Sequence, residues 1–249
     1  MLEVNKLYNM DCLEGFKLID DNSINLIVTS PPYNCDIDYD VYNDNKDWKE
    51  YLDWCRLWLN ECYRVLKSDG RIAVNVLVDM GLNNNTVRVS PMAYFYSIMV
   101  KMGFKIRALP MWSDSNKSKL TAWGSWQSAS APYIYNPYEV VIIAYKKQWK
   151  RLNSGVDTIS KEDFMKGTSG VWNINPETRG LTKANFPVAL PKLCVELLSF
   201  RDDLVLDPFM GSGTTAVACI NTFRNYIGFE LSEDYHYKSM GRINSLGGA

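Results

Sequence analysis

Apolar positions along the chain recur with two different periods, and the alternation between them predicts an α/β protein. Short, nearly unbroken apolar runs stand at Ile24 to Val28, Arg71 to Leu77, Glu139 to Tyr145, Leu204 to Leu206 and Tyr226 to Phe229. Such runs suit strands of a mainly parallel sheet covered on both faces. Phe104 to Met111 reads as a further strand, and Leu7 to Leu13 as a strand running into a helix that ends near Asp20. Other stretches carry the helical spacing. From Asp47 to Leu66 the stripe is Tyr51, Leu52, Trp54, Cys55, Trp58, Leu59, Cys62, Val65 and Leu66, closed by Ser68-Asp69-Gly70. Ser90-Pro91 opens a helix to about Met102, which Gly103 ends. An amphipathic helix runs to Phe200, and the last one, Ser232 to Ile243, has Ser232 as its cap. The Trp and Cys stripe is assigned to the core.

Two strand ends carry unusual chemistry. After Leu204-Val-Leu206 come Asp207-Pro208-Phe209-Met210, then Gly211-Ser212-Gly213 and the helix-forming Thr214-Thr215-Ala216. A strand, a glycine turn and a helix start let backbone approach a nucleotide-like ligand. No Lys follows the glycines, so this is not a phosphate-binding P-loop. The next strand ends on Glu230, an acid placed to meet ribose hydroxyls. Upstream, Leu26-Ile-Val-Thr29 runs into Ser30-Pro31-Pro32-Tyr33-Asn34. Consecutive prolines stop the strand and stiffen the loop, because φ is locked and the N–H groups are gone.

Asp207-Pro-Phe-Met-Gly-Ser-Gly213 resembles the S-adenosylmethionine motif of DNA amino-methyltransferases, and Thr29-Ser-Pro-Pro-Tyr33 resembles their catalytic motif. The catalytic motif comes first, the order of the β group of these enzymes, and the resemblance covers nearly the whole chain. It implies a Rossmann-like, seven-stranded mixed sheet in one catalytic domain over 1–249. It also implies S-adenosyl-L-methionine as cofactor, with Asp11, Asp207, Pro208, Phe209, Gly211, Ser212, Gly213, Thr214 and Glu230 around it. Asp11 equally suits a helix N-cap, and Asn9 stands where relatives commonly have Gly. Catalysis would fall to Ser30, Pro31, Pro32 and Tyr33. The Ser30 hydroxyl and Pro31 carbonyl can accept hydrogen bonds from an exocyclic amino group, and Tyr33 can stack on a base swung out of the duplex.

The rest of the chain adds context. Cys35 to Asp47 is acidic, aromatic and patternless, which predicts a mobile loop beside the site. Thr121 to Trp126 and Ser128 to Pro132 resemble the family's base-facing region. Lys146 to Lys183 has little periodicity and is read as a small target-recognition insertion. Asn185-Phe-Pro-Val-Ala-Leu-Pro191 resembles the segment that closes over the methionine end of the cofactor, without the His that often precedes it. With 27 basic and 28 acidic residues the net charge is −1, which counts against a generic nucleic-acid coat. A local basic face remains available from Lys146, Lys147, Lys150 and Arg151, with Lys117 and Lys119; a solvated charge run reads as well. The six cysteines are scattered without a CxxC pair, so neither a zinc site nor a disulfide framework is expected. No apolar run reaches about 18 residues, and Met1 to Lys6 lacks signal-peptide character, so a soluble, cytoplasmic protein is expected.

Methyl transfer to an amine is an in-line displacement that needs positioning rather than a covalent nucleophile. No Pro-Cys dipeptide occurs, which disfavours C5-cytosine chemistry. The physics leaves cytosine N4 and adenine N6 open, since Ser and Asp both accept a hydrogen bond. Within the resemblance, Ser at the first motif position is more typical of cytosine-N4 enzymes. A DNA-binding relative without turnover and an RNA or protein-amide methyltransferase are the alternatives; the latter tend to reverse the motif order. Double-stranded DNA is the implied partner, and a homodimer and a cognate restriction endonuclease accompany the resemblance.

Overall fold

The computed structural model describes residues 2–82, 87–113, 124–134, 136–177, 181 and 186–246. Lys117, Lys119, Thr121 to Trp123 and Asn185 lie outside the described residues.

The strands are β1 (Lys6–Asn9), β2 (Ile24–Thr29), β3 (Leu66–Leu77), β4 (Met80–Leu82), β5 (Val87–Val89), β6 (Lys105–Ala108), β7 (Met111–Ser113), β8 (Tyr138–Tyr145), β9 (Val171–Asn173), β10 (Leu204–Asp207) and β11 (Asn225–Glu230). The helices are α1 (Cys12–Phe16), α2 (Trp48–Val65), α3 (Pro91–Lys101), α4 (Lys161–Gly167), α5 (Ala189–Leu198), α6 (Thr214–Asn221) and α7 (Glu233–Leu246). Several starts have a local cause. Asp47 caps α2 by accepting from Lys49 N and Glu50 N, Ser90 caps α3 ahead of Pro91, and Ser232 Oγ accepts from Tyr235 N at 3.0 Å at the start of α7.

One sheet organises the chain, in the order β1-β11-β10-β2-β3-β8-β7-β9, with β6 also on β8. From β1 to β3 all pairs are parallel, and β8 lies antiparallel to β3. All six residues of β2 are buried, as its apolar run requires. The single strand expected from Phe104 to Met111 is broken in two: β6 covers one half of β8 and β7 the other. Pro110 lies in the gap. It has no N–H to give the ladder, and its carbonyl accepts from Val141 N at 2.9 Å. The two pieces therefore share one strand position, which yields the seven expected positions. β9, parallel to β7, adds an eighth on the edge.

Helices cover both faces. Cys12 and Phe16 of α1 pack with Tyr51, Cys55, Trp58, Leu59 and Cys62 of α2 and Phe95 and Met99 of α3 on one side. Leu190, Cys194 and Leu198 of α5, Ala216 and Cys219 of α6 and Ile243 of α7 fill the other. From β10 the chain passes through α6 to β11, on one side; from β2 it passes through α2 to β3, on the other. The order reverses between β10 and β2, and the crevice at their carboxyl ends is the switch point where ligands enter such sheets.

Of the basic run after β8, Lys147 and Lys150 are exposed, whereas Lys146 and Arg151 take a different role from the surface they suggested. Lys146 is buried, its Nζ donating to Arg64 O, Leu66 O and Asn22 Oδ1 at 3.0, 2.8 and 2.9 Å. Arg151 bridges Asp69 and Asp203 at 3.1 and 2.8 Å. Both clusters sit at the amino ends of β2, β3 and β10, across the sheet from the crevice. Further on, Trp172 is buried and its Nε1 donates to Gly167 O and Ser169 O, both at 3.1 Å.

Candidate active site

The crevice holds a cavity of about 460 Å³, within the range of small-molecule sites. Its walls come from both motifs: Ser30 and Pro32 after β2, Pro208, Phe209 and Gly211 after β10, Glu230 at the end of β11 and Asp11 after β1. Asp11 also satisfies its other reading, accepting from Leu13 N at 2.8 Å as the cap of α1.

Glu230 is held by backbone. Oε2 accepts from Gly211 N and Oε1 from Ser232 N, each at 2.8 Å. Each oxygen keeps a second acceptor position, a pair suited to two neighbouring hydroxyls. Burial raises the carboxyl's pKa, and the two N–H groups pull the other way. Gly211 is in the left-handed region at φ 53°. A Cβ added there would meet only Phe209 O, at 3.9 Å, so the backbone faces open space. Gly213 differs: at φ 75° its missing Cβ would meet Ile243 at 3.3 Å and Ser239 at 3.4 Å. It serves the packing of α7 on the turn.

Asp207, Ser212, Gly213 and Thr214, read from the sequence as cofactor contacts, stand behind the cavity wall. Asp207 has no exposed surface, and its carboxylate accepts from Thr29 Oγ1 at 2.7 Å, Thr215 Oγ1 at 2.6 Å and Phe209 N at 3.0 Å. Burial pushes its pKa up to about 6 despite those three donors. Ser212 Oγ and Thr214 Oγ1 bond each other at 2.8 Å. Pro31 is buried, and Tyr33 is not part of the cavity wall; its hydroxyl lies 2.6 Å from Ser30 Oγ and 3.1 Å from Glu139 Oε2. The Pro32 carbonyl is pinned by Tyr51 Oη at 2.8 Å. Hydrogen bonds thus hold the 30–33 loop at both its tyrosine and its Pro32 carbonyl, and Ser30 is its hydroxyl on the wall.

Much of the remaining wall comes from the stretch expected to lie beside the site, although none of its residues was singled out from the sequence. Tyr39, Asp40, Val41, Tyr42, Asn43 and Lys46 line the cavity from the stretch that looked patternless. The Asp44 carboxylate, buried inside the loop, accepts from Asn34 N, Cys35 N and Ile37 N at 2.8, 3.1 and 3.1 Å. Asn34 pairs with both backbone groups of Lys46. The loop reaches across the cavity, where Ser232 Oγ donates to Asp40 Oδ2. Polar residues that fold a loop by accepting its own N–H groups leave no periodic trace; the Asn34 and Asp44 pair was the available signal. From the aromatic stripe of α2, Trp54 reaches the cavity and meets Phe209 with ring centroids 5.5 Å apart.

The family model described as DNA methylase, for N6 and N4 methyltransferases, matches residues 24–240. The chain belongs to this family. The type II methyltransferase M.MjaVI of Methanocaldococcus jannaschii is 39% identical over 184 residues, which cover 70% of this chain and 92% of that protein. M.HpaI of Haemophilus parainfluenzae is 29% identical, over 96% of this chain and 74% of that one. Among solved structures, TTHA0409 of Thermus thermophilus complexed with S-adenosyl-L-methionine aligns with a TM-score of 0.78 and 25% identity, over 97% and 93% of the two chains. The cytosine-N4-specific PvuII DNA methyltransferase shares the fold, with a TM-score of 0.73 at 23% identity over 97% and 90%.

Proposed function

We propose that this DNA methyltransferase uses S-adenosyl-L-methionine to methylate the N4 amino group of cytosine in double-stranded DNA, the base being turned out of the duplex to reach Ser30. The cavity fits the cofactor. Glu230 offers two fixed acceptors for a ribose diol, Phe209, Phe229 and Leu13 offer apolar surface to a purine, and Asp11 and Asp40 add negative charge that suits a sulfonium. Bound there, S-adenosylmethionine supplies an electrophilic methyl group: a C–N bond to the amino nitrogen forms as the C–S bond breaks, its electron pair going to sulfur.

The observation that carries the reading is Ser30, a hydroxyl held on the cavity wall by a proline-stiffened loop and bonded from behind by Tyr33. A fixed acceptor orients an amino group so that its lone pair can face the methyl donor. Covalent catalysis has no support from the thiols nearby: burial raises Cys12, on the cavity wall, and burial with the Asp44 carboxylate pushes Cys35 up to about 12. In this reading target recognition falls to 146–183, where Lys147 and Lys150 are exposed while Lys146 and Arg151 are engaged within the fold. A homodimer and a cognate endonuclease belong to the same proposal.

The test is mass spectrometry of nucleosides from unmethylated DNA incubated with the protein and S-adenosylmethionine. N4-methylcytosine is the expected product. N6-methyladenine would keep the transfer and overturn the base.

A further inference from the structure

Behind Ser30 stands a short chain of groups that runs through Tyr33 to Glu139 and Asn75, two residues that no motif assigns. Glu139, near the start of β8, lies opposite Leu77 of β3, so the antiparallel pairing brings its side chain to the carboxyl ends of the parallel strands. Tyr33 Oη is 2.6 Å from Ser30 Oγ, 3.1 Å from Glu139 Oε2 and 3.2 Å from Asn75 O. Asn75 Nδ2 donates both its hydrogens, to Tyr33 Oη at 2.9 Å and to Glu139 Oε2 at 2.6 Å. Turned over, that amide would set its oxygen against the carboxylate, so its orientation is determined by the cluster.

A count of hydrogens decides the rest. The Tyr33 oxygen has one hydrogen, and three acceptors compete for it: Ser30 Oγ, Asn75 O and Glu139 Oε2. A carboxylate only accepts, and a hydrogen bond to it is about twice as strong as one to a neutral oxygen. The Tyr33 hydrogen therefore goes to Glu139. The 2.6 Å contact is then a hydrogen bond only if Ser30 donates to Tyr33. That leaves Ser30 with lone pairs alone to offer the cavity, the form an amino group needs as its partner.

Resting on the proposed amino-methyl transfer, we infer that Glu139 is a positioning residue that acts through Tyr33 to hold Ser30 as a pure acceptor and takes up the proton released by the methylated nitrogen. The nitrogen leaves the transfer with one proton too many. Ser30 Oγ accepts it as its own hydrogen passes to Tyr33 Oη, and the Tyr33 hydrogen passes to Glu139. One proton enters at the amine and one neutral carboxylic acid results; both hydroxyls end as they began. With Gln at 139 the amide can donate instead. The Tyr33 hydrogen then turns to Ser30, and the Ser30 hydrogen turns to the cavity, against the amine's own hydrogens.

The experiment compares the full chain with Glu139→Gln, Tyr33→Phe and the double variant, using unmethylated DNA and S-adenosylmethionine. Each single change is expected to lower kcat by about 100-fold or more, with KM for DNA and calorimetric Kd for the cofactor within about twofold of the wild type. The double variant is expected to be no slower than the slower single one, because both changes cut one path. Independently of turnover, the ζ-carbon resonance of Tyr33, assigned by its loss in Tyr33→Phe, should move in Glu139→Gln. Wild-type kcat in Glu139→Gln, losses that multiply in the double variant or an unmoved resonance would each overturn the relay. If Glu139→Gln does not fold, Tyr33→Phe, which removes one oxygen atom, carries the test. A wild-type chain that methylates no DNA amino group removes the transfer and the relay together; a wild-type chain that transfers while Glu139→Gln transfers equally removes the relay alone.

Discussion

Thr29 and Asp207 lie 178 positions apart and share a buried 2.7 Å hydrogen bond from Oγ1 to Oδ1. The bond joins the last residue of β2 to the last residue of β10, directly ahead of the two loops that carry the motifs. Asp207 also accepts from Thr215 at the start of α6 and from Phe209 N. The two motifs are thus held in mutual register from beneath by one carboxylate, which itself lines no part of the cavity.

Thr29→Val should cost about 2 kcal/mol, the typical penalty for leaving a buried acceptor short of a donor. Thr29 is 1% exposed and the substitution nearly preserves its shape, so packing contributes little. Urea unfolding of the two proteins measures the difference; equal midpoints would show that the Thr215 and Phe209 donors suffice.

The raised pKa of Asp207 makes a prediction with a definite sign. The folded state holds its proton up to about pH 6, whereas the unfolded chain releases it near 3.8. This group's contribution to stability is therefore greatest below about pH 4 and declines as pH rises to 6, by about 3 kcal/mol in all. Asp207→Asn has no such loss. Glu230 is shifted in the same direction, so the quantity to follow is the difference between wild type and variant. That difference should move in the variant's favour between about pH 4 and pH 7 in parallel denaturation series, and a constant gap would contradict the buried charge.

Glu230→Gln should weaken cofactor binding at least about tenfold, the scale of losing charge-assisted hydrogen bonds to two hydroxyls. An amide also has only one oxygen for the Gly211 and Ser232 N–H groups that now share a carboxylate. Calorimetry with S-adenosylmethionine reads the change directly, and an unchanged Kd would move the ribose elsewhere in the cavity.

Asp44→Ala removes the acceptor shared by three backbone N–H groups inside the 34–46 loop. The loop supplies much of the cavity wall but few core side chains. Limited proteolysis should therefore find new cleavage sites within it, and cofactor affinity should fall about tenfold. Global unfolding should change far less. Wild-type protease resistance would mean that the Asn34 to Lys46 pairing holds the loop by itself.

Much of this was legible one residue after another. The short apolar runs declare buried strands, Asp47, Ser90 and Ser232 declare helix starts, and the prolines after Ser30 and the glycines around Ser212 mark the loops at two strand ends. These signals are local: each depends on backbone geometry and side-chain period within a few residues, so linear order suffices to read them. Glu230 belongs with them, because the end of a strand is where its side chain must emerge.

What the sequence could not decide was which polar group faces the ligand and which faces another part of the chain. Asp207 and Glu230 are both acids at the ends of adjacent strands, yet one is sealed between Thr29 and Thr215 and the other lines the cavity. Lys146 and Arg151 belong to what looked like a surface charge run, yet Lys146 is buried against backbone carbonyls and Arg151 is paired with two carboxylates. Glu139 reaches Tyr33 only because β8 runs antiparallel beside β3, across 106 positions of sequence. A hydrogen bond is satisfied by whatever donor or acceptor folding brings within about 3 Å, and proximity of that kind is a property of the packed sheet, not of the order of residues along it.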